Sequence, residues 1–344
     1  MNPATLSVLI ISLILGTTMT IASNHWLLAW IGLEINTLAI IPFMTITPHP
    51  RAIEAATKYF LTQASASALI LFSASMSAWK SGEWSIDSLT HPFTISLSLA
   101  LMMKLGLAPL HFWLPEVLQG IPLSSGLILS TWQKIAPFSL LIQIHHLVDP
   151  NILIFMGLTS AFVGGWGGIN QTQLRKIMAF SSIAHLGWMV TVMKFSPILA
   201  IFNFVLYLIM TSAMFLLLMS ISATKLTDIT SSWPKSPTLT STTMLVLLSL
   251  AGLPPLTGFA PKLLITLELV KQDSIMIAAL LMLASILTLF FYVRLTYLII
   301  LTIPPNTHIS SASWRNSRFS TLTAVLSVLA LFMFPMSTTL MMIL

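Results

Sequence analysis

The chain has 344 residues, of which 56% are hydrophobic and only 7% are charged, and its mean hydropathy is +0.93. Soluble globular domains carry about 25% charged residues, so this composition excludes a water-facing surface and predicts an all-α polytopic membrane protein. The net charge of +6 is scattered between apolar runs, which argues against a nucleic-acid partner. The absence of cysteine excludes thiolate-ligated zinc or iron–sulfur sites, and the eight histidines show no metal-binding spacing.

Apolar runs follow one another along the whole chain. A transmembrane helix needs about 20 apolar residues, and eleven segments meet this requirement: 3–22, 25–45, 54–78, 93–118, 123–145, 151–170, 175–193, 197–221, 239–271, 274–302 and 321–343. The fourth and ninth spans are long and carry internal prolines, at Pro109 and at Pro254-Pro255. Because proline removes a backbone donor and clashes with the preceding turn, both spans are predicted to be broken helices.

The two broken spans contain similar sequences. Residues 106–115 read GLAPLHFWLP and residues 252–261 read GLPPLTGFAP, so five of ten positions agree at an offset of 146. The spans are five apart in order, which means that they cross the membrane in opposite directions. Interrupted helices in an inverted repeat indicate a transport site near the bilayer midplane. We therefore predict a first inverted repeat over 1–147, a second over 148–303, and a loop with a C-terminal span over 304–344.

Loop charges predict the orientation, because basic residues concentrate on the cytoplasmic side or its mitochondrial equivalent, the matrix. One side of the eleven predicted spans carries seven basic loop residues and the other carries three. The seven are Arg51, Arg175, Lys176, Lys225, Lys235, Arg315 and Arg318, and the three are Lys80, Lys194 and Lys271. The N-terminus is expected on the positive side, and the odd number of spans places the C-terminus opposite.

Four charged residues lie near the middle of predicted spans, on four different helices: Glu34, Lys104, Lys134 and Lys262. A charge at the bilayer centre costs about 2.5–3.5 kcal/mol. Glu34 lies about 15 Å from either end of its span, at ~1.5 Å per residue, which is too far for its side chain to reach the interface. All four charges are therefore expected to face the protein interior and water.

Two interpretations of these charges remain open. They are either structural ion pairs, with Glu34 neutralising Lys104, or parts of a proton path. One acid cannot neutralise three bases, so two lysines would have to be neutral or hydrated. A lysine removed from water exchanges its proton readily, which favours the proton path for the set.

Two histidines are further candidates for the path. His111 follows the break at Pro109, where a proton relay and a packing role are both open. His185 is central in the seventh span, and with Ser181 and Ser182 one turn earlier it is predicted to join a polar thread.

Several other residues are expected to be structural. Arg294 lies off centre in its span, Glu54 and Lys58 have the i,i+4 spacing of a helical ion pair, and Glu116 near a span end is expected to be solvated. The glycine run 164–168, GGWGG, lies inside an apolar helix and predicts close helix packing.

Four motifs resemble the antiporter-like family of respiratory complex I: WIGLEINTLAI, KLGLAPLHFWLPEV, AFSSIAHLGWM and LSLAGLPPLTGFAPK. The resemblance runs along the whole chain. It implies two inverted five-helix repeats, each with a broken helix, and proton translocation coupled to electron transfer from NADH to ubiquinone. It also implies that Glu34 and Lys104 form a pair, that Lys134 is a connecting lysine, and that Lys262 lies on the exit side. His111 and His185 match motif positions of less certain role.

The resemblance implies that redox chemistry lies in other chains. FMN, iron–sulfur clusters and ubiquinone are expected in other subunits and none in this one. The expected partners are the neighbouring antiporter-like subunit 4, the small subunit 4L, accessory subunits and membrane lipids. The expected location is the mitochondrial inner membrane, with the N-terminus in the matrix and the C-terminus in the intermembrane space. A stand-alone cation/proton antiporter and an inert structural spacer are the competing hypotheses.

Overall fold

The computed structural model describes residues 3–89, 92–302, 320–337 and 339. These residues form fifteen α-helices, one short 3₁₀ helix at Ile86–Ser88 and two isolated β-bridges. The helices are α1 (Pro3–Ala22), α2 (Trp26–Met44), α3 (Pro50–Ser81), α4 (Phe93–Leu105), α5 (Trp113–Gly120), α6 (Leu123–Ser130), α7 (Trp132–Gln143), α8 (Pro150–Gly168), α9 (Leu174–Met193), α10 (Pro197–Ile221), α11 (Leu226–Thr230), α12 (Pro237–Ala251), α13 (Phe259–Lys271), α14 (Ile275–Leu301) and α15 (Thr321–Phe332).

The predicted all-α polytopic architecture is confirmed. Seven of the described helices are each long and apolar enough to cross a membrane, namely α1, α2, α3, α8, α9, α10 and α14. Three further predicted spans each consist of two shorter helices, α4–α5, α6–α7 and α12–α13. The described part of the last predicted span contains α15, and the basic residues Arg315 and Arg318 lie outside the described residues.

The two predicted breaks begin at glycines rather than at the prolines. Gly106 follows α4 with φ 78° and ψ 40°, and Gly252 follows α12 with φ 79° and ψ 41°. This left-handed conformation favours glycine and ends a helix. The backbone amides that follow then donate hydrogen bonds to the carbonyls of the last helical turn. The prolines follow two or three residues later, with cis bonds at Ala108-Pro109 and Pro254-Pro255.

The two breaks share the same spacing and the same backbone turn. The second half-helix begins at Trp113 in one case and at Phe259 in the other, again 146 residues apart. The amide of Leu107 donates to the carbonyl of Met102 at 3.0 Å, and the corresponding bond from Leu253 to Leu248 measures 3.4 Å. The offset seen in the sequence therefore extends to backbone geometry.

A third interruption was not predicted. The fifth span divides at Thr131, which lies between α6 and α7 with φ −113° and ψ −72°. The Thr131 hydroxyl donates to the carbonyl of Leu127 at 2.6 Å, and Pro137 within α7 has no amide to donate. Side-chain back-bonding and proline both bend helices, and the bend places Lys134 in the first turn of α7.

The chain divides into two compact units, Met1–Thr159 and Ser160–Leu344. In the first unit, α1 and α2 cross at small residues, since a Cβ added to Gly16 would lie 2.9 Å from the carbonyl oxygen of Gly32. The indole nitrogen of Trp30 donates to the carbonyl of Ser67 at 3.1 Å and so ties α2 to α3. These contacts fix the helix that carries Glu34.

In the second unit, the glycine run of α8 packs between α9 and α14, as predicted. A Cβ on Gly164 would lie 2.6 Å from the backbone nitrogen of Ala184 in α9. A Cβ on Gly165 would lie 2.8 Å from Cβ of Leu287 in α14. Backbones can approach this closely only where side chains are absent.

Asp228 organises the loop between α10 and α12. Its carboxylate accepts hydrogen bonds from the backbone amides of Thr224 and Lys225, both at 2.8 Å. Partial burial acts to raise the pKa of Asp228, but these hydrogen bonds outweigh it and hold the pKa below its ordinary value of 3.8.

The loop should therefore lose stability in acid. A carboxylate whose folded pKa is lowered stabilises the fold above its unfolded pKa, and this contribution disappears as the pH falls through the folded value. Hydrogen exchange of amides 224–230, corrected for intrinsic rates, should show protection that falls below about pH 4. Asp228→Asn should remove the pH dependence. Equal pH profiles for the two proteins would contradict this assignment.

Candidate functional site

A small cavity in the first unit brings together Lys104 of α4 and Lys134 of α7. Its volume is about 20 Å³, and about 10–15 Å³ is enough for one water. The two lysines are 6% and 3% exposed. The other residues of its wall are Leu33, Asn36, Thr37, Tyr59, Gln63, Trp113, Leu129, Gln133, Ala136 and Pro137. The cavity is thus a polar, water-sized chamber that holds two of the predicted residues.

Glu34 lies on α2, beside the helix positions that line this cavity. It interacts electrostatically with both Lys104 and Tyr59. The resemblance implies that Glu34 and Lys104 form a pair. In the structure Oε2 of Glu34 and Nζ of Lys104 are buried atoms, and neither has a hydrogen-bond partner among the described residues. The two charges therefore influence each other through space.

Neutral side chains hold the first cavity in place. The indole nitrogen of Trp113 donates to the carbonyl of Met103 at 3.1 Å, next to Lys104. The Tyr59 ring packs edge-on against Trp113, with centroids 5.8 Å apart. On the other wall, the amide nitrogen of Gln133 donates to the carbonyl of Asn36 at 2.9 Å. These contacts tie α3, α4 and α5 together on one side, and α2 and α7 on the other.

His111 lies in the break between α4 and α5 and is 5% exposed. Its ring centroid is 4.4 Å from that of Phe112, and the ring interacts with the backbone of Pro109. It does not contribute to the wall of the cavity that contains Lys104 and Lys134. The structure thus places a buried His111 ring beside two exposed residues, Pro109 and Phe112, and its relay role remains a hypothesis.

A second cavity lies in the second unit and brings His185 of α9 together with Lys262 of α13. Its volume is about 10 Å³, close to the space of a single water. Its remaining wall residues are Ser181, Ala184, Trp188, Thr288 and Tyr292. Nζ of Lys262 donates to the carbonyl of Ala251, the last residue of α12, at 2.6 Å. The lysine thereby reaches across the second helix break.

Tyrosines surround the predicted polar thread of α9. The His185 and Tyr207 rings lie 5.8 Å apart. The hydroxyl of Ser182 interacts with Tyr207, and that of Ser181 interacts with Tyr292. Sequence reasoning missed both tyrosines, because a single neutral aromatic residue in an apolar helix carries no depth or charge signal.

Four other charged residues form ion pairs or hydrogen bonds within or between helices. Lys58 pairs with Glu54 at 2.6 Å, as the spacing predicts, and also with Glu116 of α5 at 2.8 Å. The side chains of Lys58, Glu54 and Glu116 are 42%, 61% and 55% exposed, so solvent screens both pairs. Arg294 donates to the carbonyl of Ile169 and fastens α14 to the end of α8.

Buried lysines in water-sized cavities beside broken helices are features of membrane proteins that move ions or protons. Residues 23–288 match the family model for the transmembrane region of the NADH:quinone oxidoreductase/Mrp antiporter proteins. Residues 289–341 match the model for the C-terminus of NADH dehydrogenase subunit 2. The chain therefore belongs to the NADH:quinone oxidoreductase/Mrp antiporter family.

Individual relatives agree with this family. The chain is 65% identical to NADH-ubiquinone oxidoreductase chain 2 of Aquarana catesbeiana over 100% of both chains. It is 56% identical to the protein of the same name from Xenopus laevis, over 98% of this chain and 99% of the relative.

Solved structures share the fold. A chain of respiratory complex I from Thermus thermophilus with bound aureothin superposes with a TM-score of 0.82 at 26% identity, over 96% of this chain and 79% of that one. A chain of the Mrp complex from Dietzia sp. DQ12-45-1b gives a TM-score of 0.83 at 17% identity, over 97% and 75%. This second likeness concerns the fold alone.

Proposed function

We propose that this chain is a core membrane-arm subunit of a proton-pumping NADH:ubiquinone oxidoreductase and works as an antiporter-like proton translocator. The observation that carries the proposal is the 65% identity to a chain 2 of that enzyme over the full length of both proteins. The shared cavity of Lys104 and Lys134 supports it, because it supplies two exchangeable amines and room for water between apolar helices.

The proposed mechanism begins at Glu34. Electron transfer in other subunits changes the charge or position of Glu34, and this alters the proton affinity of Lys104 because the two groups interact electrostatically. Lys104 shares a water-sized cavity with Lys134, so a proton passes between these amines inside the first unit. The route continues to Lys262, which shares the second cavity with His185.

The proposed organisation follows the sequence repeat. Residues 1–147 and 148–303 form two inverted five-helix repeats, with broken helices near Pro109 and Pro254, and 304–344 add a loop and a C-terminal span. The constant offset of 146 between the two helix breaks supports this division.

The surroundings of the chain are part of the proposal. FMN, iron–sulfur clusters and ubiquinone bind in other subunits. The neighbours are antiporter-like subunit 4, subunit 4L and accessory subunits, and lipids cover the remaining surface. The chain lies in the mitochondrial inner membrane, with its N-terminus in the matrix and its C-terminus in the intermembrane space, as the seven-to-three distribution of basic loop residues favours.

Co-purification separates this function from a stand-alone cation/proton antiporter. A tagged chain extracted in mild detergent should be recovered within a large assembly that contains flavin and iron–sulfur clusters and reduces ubiquinone with NADH. Recovery of the chain alone, with cation/proton exchange in liposomes, would support the antiporter. The Mrp likeness does not favour that alternative, because at 17% identity it shows the fold only.

Glu34→Gln tests the first step of the mechanism. Loss of the carboxylate removes the electrostatic influence on Lys104, and we expect proton transfer through this chain to slow about tenfold, a barrier increase of about 1.4 kcal/mol. The measurement is protons pumped per electron by the intact complex in liposomes. Glu54→Gln, at an exposed helix start, is the matched control and should pump normally. Equal ratios for both variants would remove Glu34 from the path.

A further inference from the structure

Lys262 bridges the two halves of the second broken helix. It lies in the first turn of α13, yet its Nζ donates at 2.6 Å to the carbonyl of Ala251, which ends α12. The stem of the side chain runs over Gly252, where an added Cβ would lie 2.8 Å from Nζ and 2.9 Å from Cδ and Cε. One side chain thus joins α12 to α13 across the break.

The first broken helix is closed by a different donor. The carbonyl of Met103 near the end of α4 accepts from the indole nitrogen of Trp113, at 3.1 Å. Trp113 begins α5, so this bond also joins the two halves of its helix. An indole N–H keeps its proton, whereas a lysine ammonium can lose it. The two breaks therefore have the same backbone geometry but different sensitivity to protons.

The charge of Lys262 strengthens its bond. The C-terminal carbonyls of a helix carry the negative end of the helix dipole and favour a cation. A charge-assisted hydrogen bond is also about twice as strong as a neutral one. A lysine that gives up its proton loses both contributions, so proton release and separation of the half-helices must be thermodynamically linked.

We propose that Lys262 is a proton-dependent clasp: the ammonium holds α12 and α13 together, and loss of its proton releases them. This deepens the proposed function, because it rests on Lys262 exchanging a proton during turnover. Gly252 is a positioning residue in this scheme, since a Cβ at this position would displace the end of the Lys262 side chain.

Titratable groups on the neighbouring helices can influence the charge of Lys262. The elements packed against α13 are α9, α10 and α14. Their titratable groups at this site are His185 and Tyr292 on the cavity wall and Tyr207 beside His185. Among the described residues, the cavity wall contains no carboxylate that could pair with the Lys262 ammonium.

Hydrogen exchange on the intact purified complex tests the clasp. The protection of the backbone amides of residues 249–260 is compared with that of residues 103–114. The second segment is an internal reference, because its break is bridged by the Trp113 indole, which keeps its proton. As pH rises from about 6 to 10, the ratio of the two protections should fall about five- to tenfold in the wild type. Lys262→Arg, which stays charged, should keep the ratio high throughout. Lys262→Met should keep it low throughout.

Two alanine variants separate the clasp from backbone strain. Gly252→Ala and Gly106→Ala both place a Cβ at a φ of 78–79°. The first meets Lys262, whereas the second meets Leu114 Cδ1 at 2.9 Å. Gly252→Ala should abolish the pH dependence of the ratio, and Gly106→Ala should preserve it while lowering protection at its own break.

A ratio that stays flat in the wild type, or one that falls equally in Lys262→Arg, would overturn the clasp. Hydrogen exchange and proton pumping are measured separately. If the exchange ratio behaves as expected but the complex does not pump protons through this chain, the proposed function is refuted and the clasp is not. Should Lys262→Met fail to assemble, the wild-type profile and the arginine variant decide the question.

Discussion

Replacing Lys134 with methionine should stop proton translocation through this chain while the complex still assembles and oxidises NADH. Lys134 is 3% exposed and shares its cavity with Lys104. Methionine has a similar length and no charge, so it fills the space without carrying a proton. Loss of a positioned acid or base typically slows proton transfer about 10²- to 10⁴-fold. The measurement is protons pumped per electron, with NADH oxidation recorded in the same liposomes.

Lys80→Met is the matched control, because Lys80 lies exposed at the end of α3. We expect this variant to keep the wild-type stoichiometry. Normal stoichiometry in Lys134→Met, together with normal assembly, would instead support the inert spacer.

Replacing Gly164 with leucine should prevent stable assembly. A single Cβ at this position already lies 2.6 Å from the backbone nitrogen of Ala184, and a backbone atom cannot move aside as a side chain can. Overpacking costs about 1–3 kcal/mol where neighbours can adjust, so a four-carbon side chain against rigid backbone should exceed that range. The second cavity would also be distorted, because Ala184 is part of its wall. The amount of assembled complex on native gels measures the effect.

Trp166→Leu is the comparison for Gly164→Leu. Trp166 lies two residues away on the same helix and is 75% exposed in this chain, so its replacement should leave the contact with α9 unchanged. Wild-type assembly of Gly164→Leu would show that α8 and α9 are not held together as the structure places them.

The sequence predicts the helices well, because hydropathy and length alone identify a membrane span. The ends of α1 at 3–22 and of α10 at 197–221 agree with the structure. The break at Thr131 was missed because threonine is not a general helix breaker. The break coincides with a hydroxyl bond from Thr131 to Leu127 and with a proline six residues later. Such a combination becomes visible only when the backbone is known.

Only the charged residues of the candidate site could be predicted from the sequence. Depth in a span selects Lys104 and Lys134 because a buried charge is costly, and the structure places both on one cavity wall. The same reasoning is blind to Tyr59 and Gln133, which are neutral and common in helices. The pairing of Glu34 with Lys104 came from the resemblance, and in the structure the two groups interact through their charges without a hydrogen bond. Distances across helices depend on packing details that a one-dimensional pattern does not contain.

The hydrogen bond from Gln133 to the carbonyl of Asn36 couples two parts of the first cavity mechanically. Asn36 follows Glu34 by two residues on α2, and Gln133 directly precedes Lys134 on α7. A displacement of α2 that repositions the glutamate must therefore pull the first turn of α7, and its lysine, in the same direction. One hydrogen bond between a side chain and a backbone carbonyl thus links the helix of Glu34 to the helix of Lys134, so the two residues would shift together.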